Sequence, residues 1–373
     1  MIVAGALGAV LAVGLAIAGP NTGKLSLIQT KADPIEYAGV NDLDSCRDGQ
    51  NVYVANYNAD TLVTFARRQR SGRLREIDVE TDGENVTGMG ETGDVVCSRD
   101  GRFVYVTASE DDDDAILAFA RNQRTGKLRF KHRKTDSQDR LESVYGLTAS
   151  PDGRFLYATA SSSEHNLLTY RRNARNGRLS LRDVETDDPS LEGSGTPVVS
   201  PDGANLYVPG DDSVGTFKRN LRTGKLRFVN VKADGTGQIE GLQGAYGIDV
   251  SRDNRNVYAT GYGDGAIVSF KRNRRSGKLR FLDAKFDGAA AGDRFSTPYD
   301  VFVSRDGHNV YAAAYGDDAI NVFRRNDAGR IRFVQSKAEG DNGPWRMDLT
   351  RDDRNLYAAG YDAGTVTVYK RRP

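Results

Sequence analysis

Cysteine, histidine and tryptophan are scarce in this 373-residue chain, which has two Cys, three His and one Trp. Two cysteines, Cys46 and Cys97, are too few for a disulfide framework, and three histidines add too little for a Cys/His zinc site. The 52 basic residues nearly balance the 51 acidic ones, so no overall charge attracts nucleic acid or an anionic membrane. Any catalysis is therefore expected from carboxylates, Arg, Tyr or one His, with no cofactor and no metal.

The first nineteen residues contain no charged side chain, unlike the rest of the chain. Ala16-Ile17-Ala18 before Gly19-Pro20 has the small-x-small form of a signal-peptidase site. We therefore predict a leader over residues 1–19 and a domain over residues 20–373, in a secreted, periplasmic or cell-surface protein. No basic residue precedes the apolar run, so an uncleaved anchor or a misassigned start remain alternatives.

A Ser-Arg-Asp-Gly tetrad and its variants recur about every 50 residues. The seven copies begin at Cys46, Ser98, Ser150, Ser200, Ser251, Ser304 and Thr350. Around each copy, four short alternating segments, here called strands A to D, are separated by turn residues. Four short strands per repeat are typical of a β-propeller blade.

The last repeat is incomplete, because the chain ends soon after its third strand at Thr367-Val368-Tyr369. The missing turn and fourth strand are present instead near the start, in residues 21–28. We therefore predict an all-β, seven-bladed β-propeller of four-stranded blades, closed by an N-terminal outer strand that completes the C-terminal blade.

Several blade motifs occur together in this sequence. They are Ser150-Pro151-Asp152-Gly153, Asn51-Val52-Tyr53-Val54, Asp317-Asp318-Ala319-Ile320 and Arg121-Asn122-x-x-Thr125-Gly126-Lys127-Leu128. In these motifs the chain resembles the lactonase-type seven-bladed propellers, which include propeller-type 6-phosphogluconolactonase, fungal carboxymuconate lactonising enzyme and the related YVTN-repeat surface proteins. The resemblance implies a propeller fold and a site in the central funnel, where the lactonising relatives use His, Glu and Arg groups without a metal.

Residues that recur in every blade are interpreted as structural. The anchor aspartates are expected to form turns, and the strand B tyrosines, such as Tyr53, are expected to pack between blades. The basic runs after strand C, such as Arg121-Asn122 and Lys218-Arg219-Asn220, are interpreted as a solvated rim.

Residues that differ between blades are the candidates for function, and they fall at the top of the funnel, where strand A begins. The ligand-binding candidates are Asp42, Asp94, Asp300, Tyr246, Tyr299 and Trp345. The catalytic candidates are His165, Glu142, Arg346 and Arg294, as proton-transferring or anion-holding groups. The acidic run 110–114 is interpreted as a hydrated turn rather than a calcium loop, and a Cys46–Cys97 bond is left open.

Two functions are compatible with these sequence features. The first is a lactonase-like hydrolase or cycloisomerase that acts on a small sugar-acid or carboxylate lactone in the top-face funnel. The alternative is a non-catalytic secreted or cell-surface propeller that binds a ligand or a protein partner. Either is expected to be a monomer that binds no nucleic acid and contacts no membrane beyond a possible N-terminal anchor.

Overall fold

The computed structural model consists of seven four-stranded antiparallel sheets arranged in a ring. The residues that it describes are 22–109, 114–136, 138, 140–161, 165–186, 191–288, 293–338 and 343–372.

The first four blades each run from the central channel to the rim as strands A, B, C and D. Their strands are β2 Val40–Ser45, β3 Asn51–Asn56, β4 Thr61–Arg67 and β5 Leu74–Thr81; β6 Thr92–Cys97, β7 Phe103–Ala108, β8 Ala115–Arg121 and β9 Leu128–Lys134; β10 Val144–Ala149, β11 Phe155–Ala160, β12 Asn166–Arg172 and β13 Leu179–Glu185; β14 Val198–Val199, β15 Asn205–Gly210, β16 Ser213–Arg219 and β17 Leu226–Ala233.

The remaining three blades follow the same plan, and the last one uses both ends of the described chain. Their strands are β18 Ala245–Val250, β19 Asn256–Gly261, β20 Ala266–Arg272 and β21 Leu279–Phe286; β22 Pro298–Val303, β23 Asn309–Ala314, β24 Ala319–Arg325 and β25 Ile331–Lys337; β26 Pro344–Leu349, β27 Asn355–Gly360, β28 Thr365–Arg371 and β1 Leu25–Ala32. One 3-10 turn, Tyr315–Asp317, lies between β23 and β24.

The first and last strands of the ring pair directly, as the incomplete seventh repeat predicted. Strand β1 runs antiparallel to β28, with Leu25 opposite Arg371 and Ala32 opposite Thr365. The order of this sheet is β1-β28-β27-β26. The seven-bladed fold and its closure are thereby confirmed, and the ring has no open blade edge at the junction.

The hydrophobic core lies between neighbouring blades, because strands B and C bury both of their faces. All six residues of β3 are buried, and Tyr53 packs in one cluster with Val104 and Phe119 of the next blade. Strand D is mostly half-buried, as expected for the rim: in β5, Leu74 is buried, Arg75 is exposed and most of the other residues are intermediate. Each blade therefore depends on its neighbours for burial of its apolar surface.

A side-chain latch joins each blade to the next at the level of the lower turns. In the first, Arg121 donates to the Tyr53 hydroxyl, to Asp48 and to Asn51 of the preceding blade, while Tyr53 donates to the Gly126 carbonyl. The corresponding arginines are Arg67, Arg121, Arg172, Arg219, Arg272, Arg325 and Arg371, each at most 8% exposed and each bonded to a strand B tyrosine of the adjacent blade.

The latch corrects the interpretation of the basic runs as a solvated rim. Arg219 is buried, whereas its neighbour Lys218 is exposed, because successive side chains of strand C point to opposite faces. The anchor aspartates do form turns, as Asp48 does by accepting the Gln50 N–H, but they also pair with these buried guanidinium groups.

Cys46 and Cys97 form a disulfide at the lower ends of strands A in blades one and two. Their Cα atoms lie 5.3 Å apart, within the ~7 Å limit for such a bond. Sequence alone left this pairing open because the separation of two strands in adjacent blades cannot be read from spacing.

Candidate functional site

Strands A surround the central channel, with the D–A crossovers and B–C turns on what we call the top face and the A–B and C–D turns on the bottom face. The three predicted carboxylates, Asp42, Asp94 and Asp300, all lie on these inner strands. Each accepts a backbone N–H from the next blade's strand A, at 2.8 Å in each case: Val95 to Asp42, Leu147 to Asp94 and Met347 to Asp300. The carboxylates thus hold neighbouring blades together at the channel wall.

Arg346 extends across the channel from blade seven and brings these carboxylates into one cluster. Its guanidinium donates to Thr196 Oγ1 at 2.7 Å, and it lies 3.8 Å from Asp94 and 4.0 Å from Asp300. Thr196 in turn donates to Asp94 at 2.7 Å. The Arg346 side chain is only 8% exposed, so these charges interact with little screening by water.

The carboxyl groups of this cluster are held in an unusual electrostatic state. Burial raises the pKa of Asp300 to about 7, although Arg346 and the Met347 and Val301 N–H groups oppose the shift. Burial and then the charge of Asp94 raise the pKa of Asp42 well above its usual value. Burial also raises the pKa of Asp94, against the pull of Arg346 and Thr196. At least one carboxyl group here can therefore exchange a proton near neutral pH.

Arg346 itself stays charged. Burial disfavours its charge, but the nearby Tyr246, Asp94 and Asp300 outweigh that effect and raise its pKa. Its guanidinium carbon also lies 4.9 Å from the centre of the Tyr246 ring, in cation–π contact. The cluster therefore combines one permanent cation with carboxyl groups that can change their protonation.

A cavity of about 180 Å³ inside the channel adjoins the cluster. Its wall includes Asp42, Asp94, Asp300, Thr196 and Arg346. This volume is smaller than that of most whole-ligand sites, roughly 300–1,000 Å³, so the cavity has room for a small polar group or water rather than a complete drug-sized molecule.

An aromatic cluster lies beside Arg346 at the top of blades five, six and seven. The rings of Tyr299 and Trp345 are 4.1 Å apart, and Tyr246 packs edge-on against both. Tyr315 and Tyr361 extend the cluster from the adjoining B–C turns, at 5.6 and 5.5 Å from Trp345. Aromatic faces beside a charged group are suited to holding a flat or ring-shaped polar ligand.

The other three catalytic candidates lie apart from these contacts. Glu142 and Arg294 are exposed on crossovers before blades three and six, and the Arg294 backbone carbonyl accepts a hydrogen bond from Asn321. His165 has a left-handed backbone (φ 49°), and its buried Nδ1 has no hydrogen-bond partner among the described residues. Across the part of the chain that the structure describes, no hydrogen bond or ion pair links them to Arg346.

Two other polar groups at the cluster, Thr196 and Tyr145, were not among the predicted site residues, although both lie at the strand A positions from which those residues were chosen. Thr196 occupies the same register position as Asp94 and Arg346, so its place in the repeat could have identified it. Tyr145 is close enough for Asp94 and Arg346 to affect its pKa, which burial raises. Apart from Asp114, the acidic run lies outside the described residues; among those described, no three His, Cys, Asp or Glu side chains are arranged to hold a metal.

The fold and its channel define a seven-bladed propeller with a polar central site. The sequence matches the family model "Lactonase, 7-bladed beta-propeller" over residues 78–194 and 287–373, more than half of the chain, and the protein belongs to that family. No curated protein matches the sequence.

Similar solved structures come from proteins of different chemistry. The periplasmic gluconolactonase PpgL of Pseudomonas aeruginosa is 20% identical (TM-score 0.67; 80% of this chain and 85% of that one), and a Bacteroides fragilis protein provisionally assigned as a 6-phosphogluconolactonase is 18% identical (0.64; 80% and 83%). Hydrazine synthase of Kuenenia stuttgartiensis is 16% identical (0.64; 89% and 95%). At these identities the likeness establishes the fold alone.

Proposed function

We propose that this protein is a lactonase-like hydrolase that acts on a small sugar-acid or carboxylate lactone at the top of the central channel. The observation that carries the proposal is the position of Arg346, a buried cation among three carboxyl groups and beside an aromatic cluster. Membership of the lactonase propeller family supports the reaction class, and the gluconolactonase named among the similar structures supports a sugar-acid lactone as substrate.

In the proposed reaction, the lactone ring lies against Trp345 and Tyr299, and its carbonyl oxygen accepts a hydrogen bond from Arg346. Water attacks the carbonyl carbon and gives its proton to the ionised carboxylate of Asp300. The bond from the carbonyl carbon to the ring oxygen then breaks, and the departing oxygen receives a proton from that carboxyl group. Arg346 stabilises the negative charge that develops on the carbonyl oxygen.

His165, Glu142 and Arg294 form an alternative proton-transfer and anion-holding set in the top loops. In that version His165 or Glu142 activates the water, and Arg294 holds a substrate carboxylate or phosphate. Substitutions at Asp300 and Arg346 test the channel mechanism, and substitutions at His165, Glu142 and Arg294 test the loop mechanism.

The test is hydrolysis of a panel of aldonolactones by the purified chain, measured as acid release above the rate in buffer. Arg346→Met is expected to lower kcat/KM about a hundredfold, the effect of losing one charged stabiliser of the transition state. Arg346→Lys keeps the charge and is expected to lose less. Lys218→Met, which changes an exposed side chain on strand β16 of blade four, is the control and is expected to hydrolyse lactone at the parent rate.

Asp300→Asn, His165→Ala, Glu142→Gln and Arg294→Met complete the comparison. A rate that falls with Asp300→Asn but not with the other three assigns the base to the channel. An absence of turnover above buffer, or full activity of a folded Arg346→Met variant, rejects the proposal.

A second candidate is a binding propeller without chemistry. It is favoured by the hydrogen bonds that Asp42, Asp94 and Asp300 accept from the backbone of the next blade, because these bonds explain the three carboxylates by a structural role alone. This candidate predicts that open-chain aldonates raise the melting temperature through Arg346 while no lactone is turned over.

We further propose that the protein is exported. The apolar segment 1–19 supports this, as does the Cys46–Cys97 disulfide, since such bonds persist in oxidising compartments. The described part of the chain contains no helix with the length and hydropathy that a membrane span requires. Fractionation of the native host, with N-terminal sequencing of the mature protein, tests both export and cleavage.

A further inference from the structure

The bottom end of the central channel opens into a second cavity, of about 420 Å³, far from the aromatic cluster. Five arginines line this opening, each at the second position of an A–B turn: Arg47, Arg99, Arg252, Arg305 and Arg351. We call them the arginine ring. In the other two blades the same position is Pro151 or Pro201, which also line the cavity.

The guanidinium groups of the arginine ring are not paired within the described residues. None of the five side chains makes a hydrogen bond or an ion pair there, and the buried Nε of Arg305 lacks a partner. The aspartates of the same turns are engaged elsewhere, since the latch arginines already bind them, as Arg121 binds Asp48. Four of the five arginines are exposed and Arg305 is half-buried, so their effect depends on crowding: like charges around one opening produce a positive potential that is expected to attract anions.

The ring arginines are close enough to repel one another. Burial lowers the pKa of Arg252, and the charges of Arg305 and then Arg99 lower it further, whereas Asp249 and Asp353 oppose this. Asp44, which also lines this cavity, and the inner-strand Asp348 and Asp249 lie near Arg305 and partly offset the ring. Burial and then the charge of Asp348 raise the pKa of Asp44 to about 8. Five cations thus face fewer ionised carboxylates at neutral pH.

We propose that the arginine ring binds a compact oligophosphate, either free in solution or as the headgroup of a lipid. The planar guanidinium fork matches phosphate oxygens, and several such groups around one opening favour a ligand that carries several phosphate charges close together. The cavity has the volume of a small-molecule site. A concave end of a channel also suits a compact anion better than the evenly spaced phosphates of a nucleic-acid rod.

Inorganic tripolyphosphate is the probe, with binding to the full chain measured by calorimetry at low ionic strength. The double variant Arg99→Gln/Arg252→Gln is expected to bind about tenfold or more weakly, since two charge-assisted contacts are lost. The matched control, Arg102→Gln/Arg255→Gln, removes the same charge from the same two turns at exposed residues outside the cavity lining, and is expected to change the affinity less than about threefold.

Thermal unfolding gives a second readout and verifies folding. The ring variant is expected to melt at or above the parent temperature, because like charges are removed, and tripolyphosphate should raise its melting temperature less than that of the parent. Lactone hydrolysis should be the same in both double variants, so this test does not depend on the proposed function.

Vesicles distinguish the two sources of phosphate. Binding to phosphatidylcholine vesicles only when they contain phosphatidylinositol bisphosphate, with release by tripolyphosphate, identifies a lipid headgroup. Tripolyphosphate binding without vesicle capture identifies a free ligand. The proposal is overturned if tripolyphosphate does not bind or if both double variants weaken its binding equally. It is also overturned if vesicles or DNA bind the protein and tripolyphosphate does not compete with them.

Discussion

The latch and the channel cluster both place buried guanidinium groups beside aspartates, yet they hold those aspartates in opposite states. In the latch, Arg371 lies 2.6 Å from Asp306, and hydrogen bonds from Ser304 and Arg371 outweigh burial and lower the pKa of Asp306 to about 2. In the channel, Arg346 lies 4.0 Å from Asp300, whose pKa burial raises to about 7.

The difference arises first from burial and then from contact with the cation, because Asp300 is buried and lies farther from its guanidinium group than Asp306 does. Each latch arginine has an anchor aspartate to bind, and that aspartate is partly exposed to water. Arg346 serves three carboxyl groups, and at least two of them are buried more deeply. The latch pairs recur in every blade and stabilise the ring. The carboxyl cluster around Arg346 occurs once, and a carboxyl group in it is able to gain and lose a proton.

Breaking one latch tests the stabilising half of this comparison. Arg219→Met removes the donor to Tyr157 and the ion pair with Asp152, and we expect it to lower the free energy of unfolding by about 3 kcal/mol. Denaturant unfolding measures the change. Lys218→Met, the exposed neighbour on the same strand, is the control and is expected to cost less than about 0.5 kcal/mol. Equal effects of the two variants would refute the structural role of the latch.

The channel cluster is tested through pH. Because the pKa of Asp300 in the folded protein, about 7, is above its value of about 3.9 in an unfolded chain, its contribution to stability is fully present below about pH 4. That contribution is lost as the pH rises through 7, by about 2 kcal/mol between pH 5 and 7.

Asp300→Asn is therefore expected to flatten the dependence of the free energy of unfolding on pH between about pH 5 and 7. A change in stability that is the same at every pH does not affect this test. The exposed Asp327→Asn variant should retain the parent's slope. Parallel curves for the parent protein and Asp300→Asn would show that Asp300 does not titrate as proposed.

The smallest expected effect concerns the hydroxyl that joins Arg346 to Asp94. Thr196→Val removes both hydrogen bonds of that hydroxyl with little change in shape, and we expect a loss of about 1 kcal/mol in stability. Thr216 provides the matched control, since its buried hydroxyl lacks a partner within the described structure. Thr216→Val should be neutral or stabilising; a similar loss in both variants would deny Thr196 a special role.

The repeat predicted the blades and their closure because strand periodicity and turn residues are local signals. The latch was missed, although the alternation Phe217-Lys218-Arg219 placed Arg219 on the same side as a buried Phe. The recognition that a cation there is buried requires the neighbouring blade's Tyr157 and Asp152, more than sixty residues away.

The candidate site was predicted only in part, for the same physical reason. The register of strand A identified the inner-strand positions of Asp42, Asp94, Asp300 and Arg346. It did not show that Arg346 would reach Thr196 on the opposite side, because side-chain reach across the channel depends on the diameter of the ring. The roles of His165, Glu142 and Arg294 stay predictions.

The pairing of β1 with β28 also fixes where the polypeptide enters the wheel. Gly23 donates its N–H to Arg372, and Tyr311 donates to Gly23, so the chain enters strand β1 at the lower rim, beside the last described residues. A tether, tag or carrier joined directly at residue 22 or residue 372 would leave from that corner. The aromatic mouth on the opposite side would stay unobstructed, and an immobilised molecule would present it outward.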